Sequence, residues 1–282
     1  MVIEAQTSTV AVIGLGNLGG PITRALLDAG WRVTVSDRNQ DRVLPLLEHG
    51  ALAPAANSQP ADVVLLVVPD DGAVRAVLEG EEGLLARGGV RTAVIVHSTL
   101  LPETAEHLAR LCADHDVSFV DAPVSGGAAR ARAGDLTVMV GAQAAALQDV
   151  GAVLETVGSR VLHVGPPGAA AATKLANQIM MLSALAGVYE AVDLAGAYGV
   201  DAETVLDAVA TGTGASWVSQ NWDFFPETAR AYTEAGTPVR DRPWVKDLHE
   251  AVLAARARDV TVPVSALLAQ TIGERIEREA RK

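Results

Sequence analysis

The chain has 282 residues, 49% hydrophobic and 20% charged, with 34 acidic against 22 basic side chains and a formal net charge of -12. That length buries a sizeable core, and the acidity disfavours a nucleic-acid partner, because neutralising phosphates needs a basic face. The single cysteine, Cys112, excludes an internal disulfide and any thiolate cluster for zinc. The opening residues MVIEAQTST lack a positive cluster followed by an apolar run, so no secretory signal is expected. The longest uncharged stretch near the middle, Leu175 to Tyr189, is short for a membrane span. Together these features predict a cytoplasmic protein with neither membrane nor nucleic-acid partners.

In chain order, short Val- and Ile-rich runs bounded by Gly, Pro, Asp or Asn read as buried strands at Thr9–Ile13, Val33–Ser36, Val63–Val68, Thr92–Val96 and Ser118–Val120. A helical pattern at Gly19–Ala29, stopped by Gly30, separates the first two. This alternation predicts a doubly wound parallel sheet with crossover helices. Leu136–Val140 and Val161–Val164 would complete the sheet. After Pro166-Pro167-Gly168 the pattern changes, and one long helix of about 30 residues runs from Ala169 to about Tyr198. It is apolar on nearly every face and so is expected to be buried, between domains or between subunits. Helices at Asp201–Ala210, Trp217 to about Ala235, Pro243–Arg258 and Pro263–Arg278 make the second half all-helical. The domain boundary is placed near Gly165, giving 1–165 and 166–282. Arg130 and Arg132, in a loop, read as solvated surface.

Three motifs carry chemistry. Gly14-Leu15-Gly16-Asn17-Leu18-Gly19 follows a strand and opens a helix. Gly14 permits the tight turn, Gly16 lets backbone approach a pyrophosphate, and Gly19 lets helix pack on strand, while the helix N-terminus offers unsatisfied N–H groups. Asp37, closing the next strand, is either a turn residue or the carboxylate that accepts from an adenosine ribose and repels a 2′-phosphate. The second role predicts a Rossmann-type domain for NAD; Arg38 beside it leaves NADP open. Next, the strand ending Phe119-Val120-Asp121-Ala122-Pro123-Val124 delivers Ser125, Gly126 and Gly127 to the sheet edge where open parallel sheets bind ligands. A hydroxyl and two unobstructed amides there form either an ordinary loop or a carboxylate cradle. Third, Lys174 stands near the start of the apolar helix with Asn177 and Gln178 on the same face. Burial of an amine favours the neutral form that exchanges protons, whereas snorkelling would return it to water.

DAPVSGG followed by Ala133–Gly141 resembles the substrate motif of the beta-hydroxyacid dehydrogenases, whose members include 3-hydroxyisobutyrate dehydrogenase, tartronate semialdehyde reductase and the glyoxylate/succinic semialdehyde reductases. The resemblance runs from GLGNLG through Val68-Pro69, Ser98-Thr99 and KLANQ to the KDL at Lys246–Leu248. It implies that Lys174 relays a proton to or from the substrate hydroxyl while hydride moves at nicotinamide. It implies further that Asn177 orients that hydroxyl, and that Ser125, Gly126 and Gly127 hold a small substrate's carboxylate. Thr99 would lie beside the nicotinamide, Val68 and Pro69 near the adenosine side, and Lys246 near cofactor and substrate. A homodimer centred on the long helix is implied as well. The chain departs from the family at His97, where many members carry an acid, and at Gln178, where Asn or Asp is common. Trp222, Phe224, Phe225 and Tyr232 either pack the helical domain or line a pocket for a bulkier acid. Imine reductases share the fold, but usually carry Asp or Tyr at the position of Lys174.

Overall fold

The structure is a computed structural model that describes residues 3–5, 7–53 and 60–282. The chain divides into two compact units, 1–174 and 175–282.

The first unit alternates strand and helix. In chain order it contains β1 (Thr9–Ile13), α1 (Gly19–Asp28), β2 (Arg32–Ser36), α2 (Gln40–Glu48), β3 (Ala61–Leu66), α3 (Asp71–Leu78), β4 (Val90–Val96), α4 (Pro102–Ala113) and β5 (Ser118–Asp121). There follow β6 (Val124–Ser125), α5 (Gly127–Arg132), β7 (Thr137–Gly141), α6 (Ala144–Val157) and β8 (Arg160–Gly165). The strands form one sheet in the order β2-β1-β3-β4-β5-β7-β6, with β8 pairing β7. The period-two geometry of a strand sends alternate side chains to opposite faces. Val63 and Leu65 of β3 with Ala93 and Ile95 of β4 therefore join one apolar cluster, while Val64, Leu66, Val94 and Val96 join another on the opposite face. A sheet covered on both faces explains why these strands read as continuous apolar runs rather than as alternating ones.

The doubly wound parallel sheet is as predicted, with one antiparallel departure toward its edge. Strands β1 to β5 are parallel, but β7 runs antiparallel to β5 and β6. A parallel return needs a crossover of a dozen or more residues, usually through a helix of full length. The link between β6 and β7 holds only the six-residue α5, and the chain turns back. The longer α6 then restores a parallel pairing between β7 and β8. Arg130 and Arg132 also sit on α5 rather than in a loop, paired with Asp135 at 3.0 Å and Asp28 at 2.6 Å.

Helix α7 (Ala169–Ala197) begins in the first unit and continues into the second. It is followed by α8 (Ala202–Ala210), α9 (Trp217–Gln220), α10 (Phe224–Glu234), a 3-10 turn at Val239–Asp241, α11 (Pro243–Ala257) and α12 (Pro263–Ala280). The helical region expected from Trp217 to about Ala235 consists of α9 and α10. The second unit's core contains Leu182, Leu185, Tyr189, Phe225, Trp244, Leu248, Ile272 and Ile276. Trp222 meets Tyr189 edge-to-face at 5.3 Å, and Tyr232 meets Trp244 at 5.5 Å. These aromatics pack the helical unit.

Within the single chain α7 leaves large apolar side chains uncovered. Met180 is 73% exposed and Leu194 65%. Among the described residues α7 is also the one helix long and apolar enough to cross a membrane by length and composition, with a mean hydropathy of 1.4 over its best window and 17% of that window buried.

Candidate active site

The carboxyl ends of β1 to β4 bring the predicted cofactor residues to one edge of the sheet. Gly14 leaves β1 with a φ of 91°, a left-handed conformation that side chains resist, and its amide donates to the Ser36 carbonyl at 2.9 Å. A methyl group at Gly19 would collide with the Gly14 carbonyl, so that glycine lets α1 close onto β1. Gly16 differs, since a Cβ there would meet only the Arg42 guanidinium, at 3.9 Å. That open backbone, with Asn17 and Leu18 leading into a helix whose N-terminus has no side-chain cap and no acid in its first turn, fits a pyrophosphate. Leu18 is the N-cap residue of α1.

Asp37 directly follows β2. Its Oδ2 accepts from the Leu15 amide at 2.6 Å and its Oδ1 from the Asn39 amide at 2.8 Å, so the carboxylate braces the glycine loop from below. The Arg42 guanidinium lies 3.8 Å from Oδ2. Arg38 is exposed. Beside the loop opens a cleft of about 510 Å³, lined by Gly16 and Gly20 and by three arginines, Arg24, Arg42 and Arg132. Val68 and Pro69 follow β3, and Ser98 and Thr99 follow β4. The Ser98 hydroxyl ties the two loops, donating to the Val68 carbonyl at 2.7 Å and accepting from the Val68 amide at 3.0 Å. Thr99 is half-buried next to it.

The structure also brings Lys174 to the loop that carries Ser125. Lys174 is 9% exposed, and its Nζ donates to the Val124 carbonyl at 2.9 Å. The side chain therefore does not snorkel to water. Ser125 pairs with Thr137 in the short β6–β7 ladder, and Gly126 and Gly127 turn the chain with φ of 140° and 77°. Glycine is needed there because both values lie where a Cβ is strained.

Two buried groups that the sequence singled out for no such task stabilise this corner. His97, 3% exposed, bonds the Ala122 carbonyl through Nδ1 at 2.6 Å, and burial pushes its pKa down to about 4, so the ring is neutral and donates. Asp121, 1% exposed, closes β5, and its Oδ2 accepts from the Ala171 amide in the first turns of α7 at 2.9 Å. Burial raises its pKa to about 6 against the opposing hydrogen bonds from backbone amides.

In the second unit, Asn177 and Lys246 end one polar chain. Asn177 Nδ2 donates to Gln178 Oε1 at 3.0 Å, and Gln178 Nε2 donates to Asp247 Oδ2 at 2.7 Å. Lys246 sits 3.0 Å from Asp247 Oδ1 in an ion-pair contact and bonds both Glu250 oxygens at 3.0 and 2.9 Å. Burial works against its charge, but the Asp247 and Glu250 carboxylates outweigh that cost and raise its pKa above the ordinary value. Lys246-Asp247, which reads in isolation as a mere helix start, is thus an interior charge cluster on α11. The link from Gln178 to Asp247, and the part Glu250 plays beside it, are not readable from the sequence because α7 and α11 are far apart along the chain. One available signal was overlooked: the chain carries 19 arginines and only three lysines, Lys174, Lys246 and Lys282. Where arginine is so preferred, an interior lysine stands out, because it is the cation that can lose its proton when no carboxylate holds it charged as Asp247 and Glu250 hold Lys246.

Residues 9–165 match the family described as the NAD binding domain of 6-phosphogluconate dehydrogenase. Residues 168–281 match the one described as the NAD-binding domain of NADP-dependent 3-hydroxyisobutyrate dehydrogenase. A 3-hydroxyisobutyrate dehydrogenase of Pseudomonas aeruginosa is 34% identical over 92% of this chain and 89% of its own. Among solved structures, a Mycobacterium tuberculosis 3-hydroxyisobutyrate dehydrogenase described with L-serine superposes with a TM-score of 0.78 at 27% identity, over 97% of this chain and 95% of that one. A Streptomyces aurantiacus imine reductase is also similar, with a TM-score of 0.65 at 26% identity, over 96% of this chain and 93% of that one.

Proposed function

From the premise that the chain belongs to the beta-hydroxyacid dehydrogenase family, and so is an NAD(P)-dependent hydroxyacid dehydrogenase, we propose that its substrate is a small beta-hydroxy acid and Lys174 its general acid/base. The observation that carries this reading is the hydrogen bond from the buried Lys174 to the carbonyl just before Ser125. It sets one ionisable amine against a loop that offers a hydroxyl and two glycine amides. In oxidation Lys174 takes the hydroxyl proton; in reduction it returns one to the new alkoxide oxygen. A nicotinamide held at this edge would supply the hydride chemistry at the hydroxyl carbon. Ser125, Gly126 and Gly127 hold the substrate carboxylate, and Asn177 orients the hydroxyl. Fixing both ends of so small a molecule aligns the C–H and O–H bonds that must break together.

Gly14, Gly16, Asn17, Leu18 and Gly19 take the pyrophosphate, Val68 and Pro69 flank the adenosine side, and Thr99 and Lys246 reach the nicotinamide end. Asp37 favours NAD by its charge, while Arg38 and Arg42 are the cations a 2′-phosphate would meet. The units assigned to these tasks are 1–165 for cofactor and 166–282 for substrate and dimerisation. The dimer is a homodimer in the cytoplasm, and the apolar length of α7 left exposed in the single chain supplies the surface for it.

The test is an absorbance assay for reduced nicotinamide with NAD and NADP against 3-hydroxyisobutyrate, glycerate and serine, with cyclic imines as controls. One acid should turn over, and Lys174→Ala should lower kcat by at least ~100-fold while the cofactor dissociation constant stays near that of the wild type. Full turnover in Lys174→Ala, or reduction of imines with silence on every acid, would overturn the assignment.

A further inference from the structure

We propose that Asp121 is the positioning residue of Lys174: its carboxylate tethers the first turns of α7 to the end of β5 and thereby sets the lysine amine at the Val124 carbonyl. The proposal rests on the proton-transfer reading of Lys174, and its test separates the two.

The tether is visible in the geometry. Oδ2 of Asp121 accepts from the Ala171 amide at 2.9 Å, and the amides of Gly168 and Ala170 add to the stabilisation of its charge. These are the amides a helix start leaves without partners. Lys174 stands one turn later, and its Nζ reaches back to Val124, three residues after Asp121. The two contacts close a short circuit from strand end to helix and back to the loop of Ser125. Its far side is clamped by His97, which bonds the Ala122 carbonyl.

The interior is shaped around this carboxylate. A side chain at Gly141, the register partner of Asp121 on β7, would collide with Oδ1. Among the described residues Oδ1 itself is buried without a hydrogen-bond partner, a desolvation cost that a structural cap on a solvent-facing helix would avoid. Among the ionisable groups on the packed elements, His97 at the end of β4 bonds the Ala122 carbonyl, Lys174 on α7 bonds the Val124 carbonyl, and Glu106 of α4 lies against Gly168, while α4 also carries Glu103, His107 and Arg110 and α6 carries Asp149 and Glu155. The pKa of Asp121, about 6, is set chiefly by burial and then by the backbone amides. Its charge therefore changes within a range that a titration can reach with the fold intact.

With three lysines in the chain, the amine can be watched directly. Full-length protein carrying ¹³C at the lysine ε-carbon is titrated by NMR, with the Lys174 signal assigned from Lys174→Arg. In the wild type that signal should show an inflection near pH 6, and Asp121→Asn, which keeps an acceptor oxygen but does not titrate, should lose it. Asp121→Ala should move the signal and lower kcat by roughly 30-fold or more, with the cofactor dissociation constant within about threefold, and Asp121→Asn should recover kcat to within about fivefold. A Lys174 signal that is the same in all three proteins overturns the proposal, whatever happens to kcat. Joint loss of cofactor binding and turnover in Asp121→Ala, with the signal unmoved, overturns it too by showing a purely structural residue. If Asp121→Ala does not fold, the Asn comparison decides, and an inflection that persists there counts against the tether. If the Asp121 variants move the signal while Lys174→Arg keeps full turnover, the tether stands and the proton-transfer assignment falls.

Discussion

At the scale of single residues, the corner that holds Lys174 contains two buried titratable groups whose effects on stability run in opposite directions. Burial holds His97 neutral with a pKa of about 4, below its ordinary 6.5. The unfolded chain therefore takes up the proton first as pH falls, and the stability due to the neutral ring, complete above about 6.5, is lost between there and about 4. Full loss amounts to roughly 3 kcal/mol. Asp121 has its pKa raised from 3.8 to about 6. The unfolded chain releases that proton first as pH rises, so its contribution is greatest below about 4 and declines toward 6. Urea unfolding of wild type and His97→Gln between pH 7 and 4.5 separates the two effects. The variant should gain on the wild type steadily as pH falls, because only the histidine's loss is removed. A difference that stays flat across the range would show that His97 is not buried neutral.

Residue type and spacing made part of this scale legible in advance. Gly14, Gly16 and Gly19 differ in kind, and each difference follows from where a Cβ would go: into a strained turn, into open space, or into a carbonyl. Such roles are local and can be read from a motif between a strand and a helix. The roles of Asp121 and His97 are not local. Asp121 lies 50 residues from the amide it holds, and His97 lies 25 from its carbonyl. Nothing in the neighbouring sequence distinguishes a tether from a strand end.

At the scale of elements, helix existence and type followed from periodicity, while the direction of one strand did not. The first five strands and their crossovers agree with the pattern because each link is long enough for a parallel return. The β6–β7 link is not, and a run such as Leu136–Val140 has the same apolar signature in either direction. In the helical unit, an element-level device replaces the continuous sheet. Arg242, 4% exposed, stands just before α11, bonds both oxygens of Glu277 on α12 at 2.7 and 2.8 Å, and donates to Thr233 and to the Ala229 carbonyl of α10. One planar cation thus joins three helices. Arg242→Met would fill much of the volume but leave Glu277, only 14% exposed, without its countercharge. A loss of about 3–5 kcal/mol in urea unfolding is expected, as when one partner of a buried pair is removed. A loss below about 1 kcal/mol would mean that helix packing alone holds α10, α11 and α12 together.

At the scale of the whole molecule, the outstanding feature is an apolar 29-residue helix that its own chain leaves largely uncovered. The proposed homodimer would bury it. Sedimentation equilibrium should then give twice the mass of 29.2 kDa, and placing aspartates at Met180 and Leu194 should yield a monomer by charging the surface that would be desolvated. A wild-type monomer at micromolar concentration, or a dimer indifferent to both substitutions, would remove α7 from the interface.

The amino-acid sequence by itself determined the two-part architecture, the glycine loop with its acidic partner, and the lysine on a long apolar helix. These rest on periodicity, turn chemistry and motifs whose residues lie within a few positions of one another. Tertiary structure alone decided that β7 turns back and that Lys174 meets the loop of Ser125 rather than water. It also decided that Asp121 holds the helix start, and that Gln178 and Asp247 join Asn177 to Lys246. Each of these depends on a contact between segments distant in the chain. Burial and hydrogen-bond partners are properties of that contact, and no local pattern of residues encodes them.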